Sequence, residues 1–234
     1  MIELGVLADD LTGGMMVASL LESEGVSCPL VTSVNELAEV ARSEATAVVV
    51  ARKIRLVDAA LAEKEAVRVV QALQAIGCKR FFYKYCATFD STEKGNIGPV
   101  ADAMLTALSE QHTLFCPAFP RYTVTLLNGI LYLGKTPLGE SFKRDDPVTP
   151  MTNSNLVEVL QTQSQRKVGL ISREILSQGP DAIERHIQDG DATSFYITDA
   201  ADDEDMARIA DFALDWSLTT GADALPVFLA RAWQ

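Results

Sequence analysis

The sequence predicts an α/β protein with a doubly wound, mostly parallel sheet and helices on both faces. Two observations support this class. Short runs rich in valine, isoleucine, leucine and phenylalanine recur without strict polar alternation, as expected for strands that are covered on both faces. Helix-like stretches separate these runs. Because the chain has 234 residues and is 48% hydrophobic, it is expected to form a single domain over 1–234 with one large core.

The elements can be assigned in chain order. Predicted strands occupy 2–8, 28–32, 45–51, 79–86, 112–118, 167–172 and 194–198. Predicted helices occupy 12–25, 56–77, 99–111, 154–163 and 202–221. Residues 119–152 interrupt the alternation, because four prolines surround the segment VTLLNGILYLG. Asn128-Gly129 accepts the positive φ of a tight turn, so a hairpin-like insertion is predicted near 119–152.

Composition excludes several classes of partner. A formal net charge of −12 repels phosphate backbones, so nucleic acid is not an expected partner. No apolar run approaches the roughly 18 residues that span a bilayer, and the first residues lack the pattern of a signal peptide. A cytoplasmic protein without a membrane partner is therefore expected. The four cysteines show no metal-ligand spacing, so no metal site is predicted.

The segment GVLADDLTGG is the first candidate site. A strand ends at Ala8, and Thr12-Gly13-Gly14 opens a helix whose free N–H groups can hold an anion. Ligands of doubly wound sheets bind beyond the carboxyl ends of strands, where Asp9 and Asp10 stand. The alternative is that Asp10 or Thr12 only caps the helix.

The long polar connection from Lys84 to Pro99 is the second candidate site. Connections in α/β units usually have two to six residues, and longer ordered ones tend to be functional. Asp90, Ser91, Lys94 and Asn96 supply donors and acceptors that suit a polyhydroxylated acid. The alternative is a solvated, mobile loop.

A basic group follows the third predicted strand. Arg52, Lys53 and Arg55 stand at its end, where they could receive a carboxylate or phosphate in an otherwise acidic protein. The alternative is a solvated strand end. Neither the phosphate-binding pattern G-x-x-x-x-G-K-[ST] nor the nucleophile pattern G-x-S-x-G occurs, so readings as a P-loop protein or an α/β-hydrolase lose their main support.

Five ordered segments resemble the N-terminal domain of the four-carbon acid sugar kinases, particularly the 3-oxo-tetronate kinases. They are ADDLTGG, KYCATFDSTEKGNIGPV, PAFP, NGILYLGKTPLGES and DPVTPMTNSNL, and together they extend over nearly the whole chain. The resemblance implies that the chain is the substrate-binding domain of an enzyme that phosphorylates 3-oxo-tetronate, or a related tetronate or threonate, with ATP.

The resemblance also implies site residues and cofactors. Substrate contacts are expected from Asp9, Asp10, Thr12, Gly13, Arg55, Lys84, Asp90, Ser91, Lys94 and Asn96. Arg55 is expected to hold the substrate carboxylate, and Asp10 and Asp90 are candidates for the general base. In the family, ATP and Mg²⁺ belong to a C-terminal domain, which is expected to be absent here. No cofactor is thus expected on this chain alone, and the expected partners are a sugar acid with a separate ATP-binding domain or a second copy.

Departures from the family pattern keep another hypothesis open. Met16 replaces an aspartate, Val124 replaces an arginine, and Ala87 replaces a serine. Ala222-Asp223-Ala224 stand where the family has a glycine-rich junction. The second hypothesis is therefore a degenerate, non-catalytic module that binds a small acid or interacts with another protein.

Overall fold

A computed structural model describes residues 2–190 and 193–234. Within these residues the strands are β1 (Leu4–Ala8), β2 (Leu30–Val31), β3 (Ala47–Ala51), β4 (Arg80–Lys84), β5 (Thr113–Cys116), β6 (Val124–Leu127), β7 (Ile130–Leu133), β8 (Thr136–Pro137), β9 (Lys167–Ile171), β10 (Thr193–Thr198) and β11 (Leu218–Gly221). The helices are α1 (Leu11–Ser23), α2 (Leu37–Val40), α3 (Ala59–Ala75), α4 (Ile97–Leu108), α5 (Leu156–Gln161), α6 (Arg173–Ser177), α7 (Pro180–Asp189), α8 (Asp203–Phe212) and α9 (Leu225–Trp233).

Eight parallel strands form the main sheet, in the order β2-β3-β1-β4-β11-β5-β10-β9. β1 lies between β3 and β4, with Val6 opposite Val49 on one side and Phe82 on the other. From β1 the chain therefore goes to the edge strand β2, returns through β3 to the side of β1, and then crosses to β4 on the other side. This reversal is the position where doubly wound sheets bind ligands, at the carboxyl ends of the strands.

Helices cover both faces of the sheet, as predicted. A Cβ added at Gly5 in β1 would lie 2.9 Å from Leu73 of α3. On the opposite face, a Cβ added at Gly14 in α1 would lie 3.0 Å from the Cβ of Ala51 and 3.3 Å from that of Ala8. Because alternate residues of a strand point to opposite faces, residues 5 and 8 mark two separate helical layers. Within residues 2–190 and 193–234, we find no candidate for a membrane-spanning helix.

The predicted helix over 202–221 is wrong in its second half. Asp202 caps α8 by accepting a hydrogen bond from the Asp205 N–H at 2.9 Å, but the helix ends at Phe212. Leu218–Gly221 instead forms β11, which lies between β4 and β5 in the centre of the sheet. Pairing with two strands overrides the helical pattern of the preceding residues, and this segment is rich in β-branched threonine. Helices α6, α7 and α9 were not predicted from the sequence.

The predicted hairpin insertion is confirmed. β6 and β7 pair in antiparallel fashion around Asn128-Gly129, whose φ angles are +52° and +74°, and β8 adds a third strand. The buried carboxylate of Asp199 accepts hydrogen bonds from the backbone N–H groups of both turn residues, at 2.7 and 2.9 Å. Asp199 follows β10, so it anchors the insertion to the main sheet.

Replacement of Thr123 by glycine is expected to stabilise the protein by about 1 kcal/mol. Thr123 has φ +57°, a conformation that is unfavourable for a β-branched residue. Its backbone hydrogen bonds to Pro120 and Gly134 do not require the side chain. Urea denaturation measures the change. Asn128→Gly, also at positive φ, is the control and should shift stability by less than about 0.5 kcal/mol, because asparagine tolerates this region. A loss of stability in Thr123→Gly would contradict the strain argument.

Candidate functional site

Charged side chains lie together at the carboxyl ends of four neighbouring strands of the main sheet. Asp9 and Asp10 follow β1, Arg55 follows β3, Lys84 ends β4, and Asp223 follows β11. Pairing places Lys84 opposite both Ala8 and Gly221, and the Asp9 N–H donates to the Lys84 carbonyl at 3.0 Å. We call these five residues the charged cluster: Asp9, Asp10, Arg55, Lys84 and Asp223.

Arg55 is held by the two aspartates of the first motif. Its Nε donates to Asp9 Oδ2 at 2.7 Å and its Nη2 to Asp9 Oδ1 at 2.8 Å, which is a bidentate pair. The same Nη2 lies 2.7 Å from Asp10 Oδ2. Burial raises the pKa of Asp9, and Arg55 opposes that shift. The fork that was predicted to hold a substrate carboxylate is therefore already engaged with Asp9.

Asp10 caps α1, and the start of this helix lies against Lys84. The Gly13 N–H donates to Asp10 Oδ1 at 2.6 Å, so Asp10 caps the helix, and it also pairs with Arg55. A Cβ at Gly13 would overlap the ammonium end of Lys84. Gly13 thus lets a cation approach the first turn of the helix, while Thr12 is exposed at the rim.

Lys84 is a buried cation with a long ion pair. It is 3% exposed, and its Nζ lies 3.4 Å from Asp223 Oδ1. Charge-assisted hydrogen bonds are usually about 2.7–2.9 Å long, so this pair is loose. Burial raises the pKa of Asp223, against the opposing effect of Lys84. In the described residues the one ion-pair partner of Lys84 is this loosely held carboxylate, so an ammonium with three donors retains capacity to bind an anion.

A second cluster joins the long connection to the insertion. Lys143 Nζ lies 2.9 Å from Asp90 Oδ1 and 2.7 Å from Asp146 Oδ2, and the Thr88 hydroxyl donates to Asp90 Oδ1 at 2.5 Å. Lys143 is 7% exposed. Burial raises the pKa of the Cys86 thiol, with Asp90 adding to that shift and Arg55 opposing it, so Cys86 is close to both clusters. We call Asp90, Lys143 and Asp146 the latch cluster.

The remaining predicted residues of the long connection have different roles. The Asn96 amide donates to the carbonyls of Ile54 and Val57 at 2.7 and 2.8 Å, so it holds the connection that carries Arg55. Ser91 accepts a hydrogen bond from Gln163 Nε2 at 2.8 Å. Lys94 is exposed. Ser91 and Lys94 line a cleft of about 640 Å³ whose other wall comes from residues 150–153 and 158–162.

The structure brings the predicted site residues together in two adjoining places. Asp9, Asp10, Arg55 and Lys84 meet in the charged cluster with Gly13 against Lys84, whereas Asp90 belongs to the latch cluster and Ser91 and Lys94 line the cleft. Sequence reasoning missed Lys143 as a site residue. The only signal was a lysine within SFKRDDP, and its partner Asp90 lies 53 positions earlier in the chain. Asp223 was noted as a departure but not as a partner of Lys84.

A family model described as a sugar-binding N-terminal domain matches residues 4–227. The chain belongs to this family. Among curated relatives of this sugar-binding domain is a 3-oxo-tetronate kinase from Brucella melitensis, 39% identical over 98% of this chain and 53% of the relative. A 3-oxo-tetronate kinase from Burkholderia multivorans is 40% identical over 99% of this chain and 54% of the relative. The chain therefore spans about half the length of the curated relatives it matches.

Solved structures share the fold of this sugar-binding domain. A Haemophilus influenzae protein superposes with a TM-score of 0.89 at 34% identity, covering 98% of this chain and 55% of that protein. A Bordetella bronchiseptica protein, described as a domain-swapped dimer with bound citrate, has a TM-score of 0.81 at 29% identity and covers 99% and 57% of the two chains. The solved structures therefore support the α/β fold described above for this chain.

The structure shows where two residues that depart from the family pattern lie in this sugar-binding domain. Met16 is 39% exposed on α1. Val124 is 8% exposed at the start of β6, where it pairs with Leu133 of the hairpin and forms a bridge with Phe119. The side chain at position 124 thus packs within the insertion as an apolar residue. Among the residues described, no group of three or more histidine, cysteine, aspartate or glutamate side chains could hold a metal ion.

Proposed function

We propose that this domain binds a four-carbon sugar acid, 3-oxo-tetronate or a related tetronate or threonate, as the substrate-binding part of an ATP-dependent kinase. The observation that carries the proposal is the buried ammonium of Lys84 at the start of α1. It lies at the reversal point of the sheet among three carboxylates. Identity of 39–40% with two 3-oxo-tetronate kinases supports the choice of substrate class.

The groups at the site match the two ends of a sugar acid. Lys84 supplies the cation for the acid's carboxylate, and the positive end of α1 adds to its attraction. Asp10, Thr12 and Lys94 carry solvent-accessible polar atoms for the hydroxyl groups. Arg55 orients Asp9 and Asp10 through its fork, and Asn96 holds the segment that carries Arg55. Ser91 contributes from the adjoining cleft.

Asp90 is the better placed of the two candidate bases. The contacts from Thr88 and Lys143 both fall on Oδ1, and in the described residues no hydrogen bond to Oδ2 is found. Asp10 uses one oxygen to cap α1 and the other to pair with Arg55. A base needs a lone pair within reach of the hydroxyl that it deprotonates. Asp90 is therefore proposed to assist the hydroxyl, with Lys143 as its positioning residue.

ATP and Mg²⁺ are proposed to come from a further domain. Phosphoryl transfer needs a nucleotide in line with the acceptor hydroxyl, and the matched relatives are nearly twice as long as this chain. Large apolar side chains are exposed around the site, including Leu11, Met15 and Leu56, with Phe142 on the insertion. A domain that covers the site would bury this surface.

A non-catalytic acid-binding module is the second candidate. Met16 and Val124 favour it, because the resemblance assigns an aspartate and an arginine to these positions and the structure fills them with apolar side chains. Such a module would retain the charged cluster and bind the acid without phosphorylation.

Calorimetry with threonate, erythronate and 3-oxo-tetronate tests the proposal. Micromolar binding is expected, and Asp90→Asn should weaken it about tenfold through loss of a charge-assisted contact. Asp145→Asn, a neighbouring exposed aspartate, is the matched control and should bind like the wild type. If none of the three acids bound to the wild type, the proposal would be overturned.

Mass spectrometry separates the two candidate functions after addition of ATP and the C-terminal half of the Brucella melitensis relative. A phosphorylated acid supports the kinase, and binding without turnover supports the non-catalytic module.

A further inference from the structure

The charged cluster contains more anions than cations. Asp9 and Asp10 balance Arg55 and Lys84 in number, and Asp223 adds a third carboxylate. Neutralisation of Asp223 would therefore leave the cluster with two carboxylates and two cations. An anionic ligand that approaches Lys84 meets the charge of Asp223 at short range, where it is little screened by salt.

Asp223 is the charged partner of the ammonium that such a ligand needs. The side chains of Lys84 and Asp223 are both largely buried, at 4% and 12% exposed. A carboxylate that binds Lys84 therefore either displaces Asp223 or shares the ammonium with it. The 3.4 Å separation shows that the ammonium is not held tightly by Asp223, so sharing is geometrically feasible.

The backbone fixes Asp223 in this position. A Cβ at Gly221 would overlap the carbonyl oxygen of Cys116, so glycine is required where β11 closes against β5. The Ala222 N–H donates to the same carbonyl at 3.2 Å, and α9 begins two residues after Asp223. Asp223 thus has backbone anchors on both sides and cannot move away without disturbing the sheet edge.

We propose that Asp223 is a specificity-determining residue that competes with anionic ligands for Lys84 and selects hydroxy monoacids over diacids. The inference rests on the proposed function, in which Lys84 binds the acid. A 2-hydroxy acid satisfies both residues, because its carboxylate takes Lys84 while its hydroxyl donates to the carboxylate of Asp223. A 2-hydroxy diacid of the same length can make the same two contacts, but it also brings a second charge towards Asp223, and the hydroxyl does not offset that repulsion.

Calorimetry with Asp223→Asn tests this inference on three four-carbon ligands: threonate as a monoanion, tartrate as a dianion and threitol as a neutral polyol. The variant should bind threonate about tenfold more tightly and tartrate about a hundredfold more tightly, because a repulsion that doubles with ligand charge is removed. Threitol binding should not tighten. Asparagine has the shape of aspartate, and thermal melting verifies the fold.

Asp215→Asn is the matched control. Asp215 is exposed and precedes the amino end of β11, whereas Asp223 follows the carboxyl end. The control substitution therefore removes the same charge at the opposite end of the same strand. Its effect on all three ligands should be less than about twofold because of distance and screening. An unchanged ratio of tartrate to threonate affinity in Asp223→Asn overturns the role of Asp223 but leaves the proposed function standing. Absence of binding by the wild type and by both variants overturns both.

Discussion

Gly13→Ala is expected to weaken the binding of a four-carbon sugar acid about a hundredfold, through loss of a charge-assisted hydrogen bond of about 2–3 kcal/mol. The added Cβ overlaps Nζ and Cε of Lys84, which are the far end of a flexible side chain. The lysine can therefore swing away and leave the fold intact. Alanine also has a higher helix propensity than glycine, which offsets part of any local strain in α1. Calorimetry measures the affinity, and urea denaturation measures the stability.

Gly14→Ala is the matched control for this prediction. Its Cβ would meet the Cβ atoms of Ala51 and Ala8, which are short side chains fixed on the strands and cannot move aside. The variant is expected to lose stability while its folded fraction binds the acid normally. If Gly13→Ala bound the acid like the wild type, or if both variants lost stability equally, the role of Gly13 in admitting Lys84 would be refuted.

Asp199→Ala is expected to lower the free energy of unfolding by about 4 kcal/mol. The buried carboxylate accepts three backbone hydrogen bonds, from Asn128 and Gly129 in the hairpin turn and from Arg173 at the start of α6, the last at 3.2 Å. Alanine leaves these donors without an acceptor. Burial raises the pKa of Asp199, and the three backbone donors oppose that shift.

Asp202→Ala supplies the comparison for Asp199→Ala. Asp202 caps α8, and loss of a cap costs about 1 kcal/mol. The two substitutions remove the same type of side chain within four residues of each other. Urea denaturation then compares the loss of the contacts that hold the hairpin turn with the loss of a helix cap. Equal losses would show that the hairpin turn does not depend on Asp199.

The alternation of apolar runs and helical stretches was sufficient to predict the parallel sheet, because buried strands require continuous apolar segments. The hairpin was predictable from Asn128-Gly129, whose residue types match the turn. The central strand β11 was not, because the four residues Leu218–Gly221 follow a long helical pattern and gain their structure from neighbours that are distant in sequence.

The sequence was sufficient to predict the site residues that follow the strands, but not the contacts that the other site residues make. Asp9, Arg55 and Lys84 meet because parallel strands end at one edge, which sequence order indicates. The pairing of Asp90 with Lys143 depends on how the insertion folds back, and no local pattern encodes that contact. Asn96 has the residue type of a ligand contact, yet its amide is bonded to the backbone of another connection, which only the structure shows.

The amide of Asn96 has a mechanical consequence. It fastens the connection after β4 to the connection after β3, and so joins residues that are 39 to 42 positions apart in sequence. We therefore expect a ligand that immobilises Asp90 to restrict Arg55 as well. Substitutions on either side of this fastening should be energetically coupled even without a direct contact between the substituted side chains.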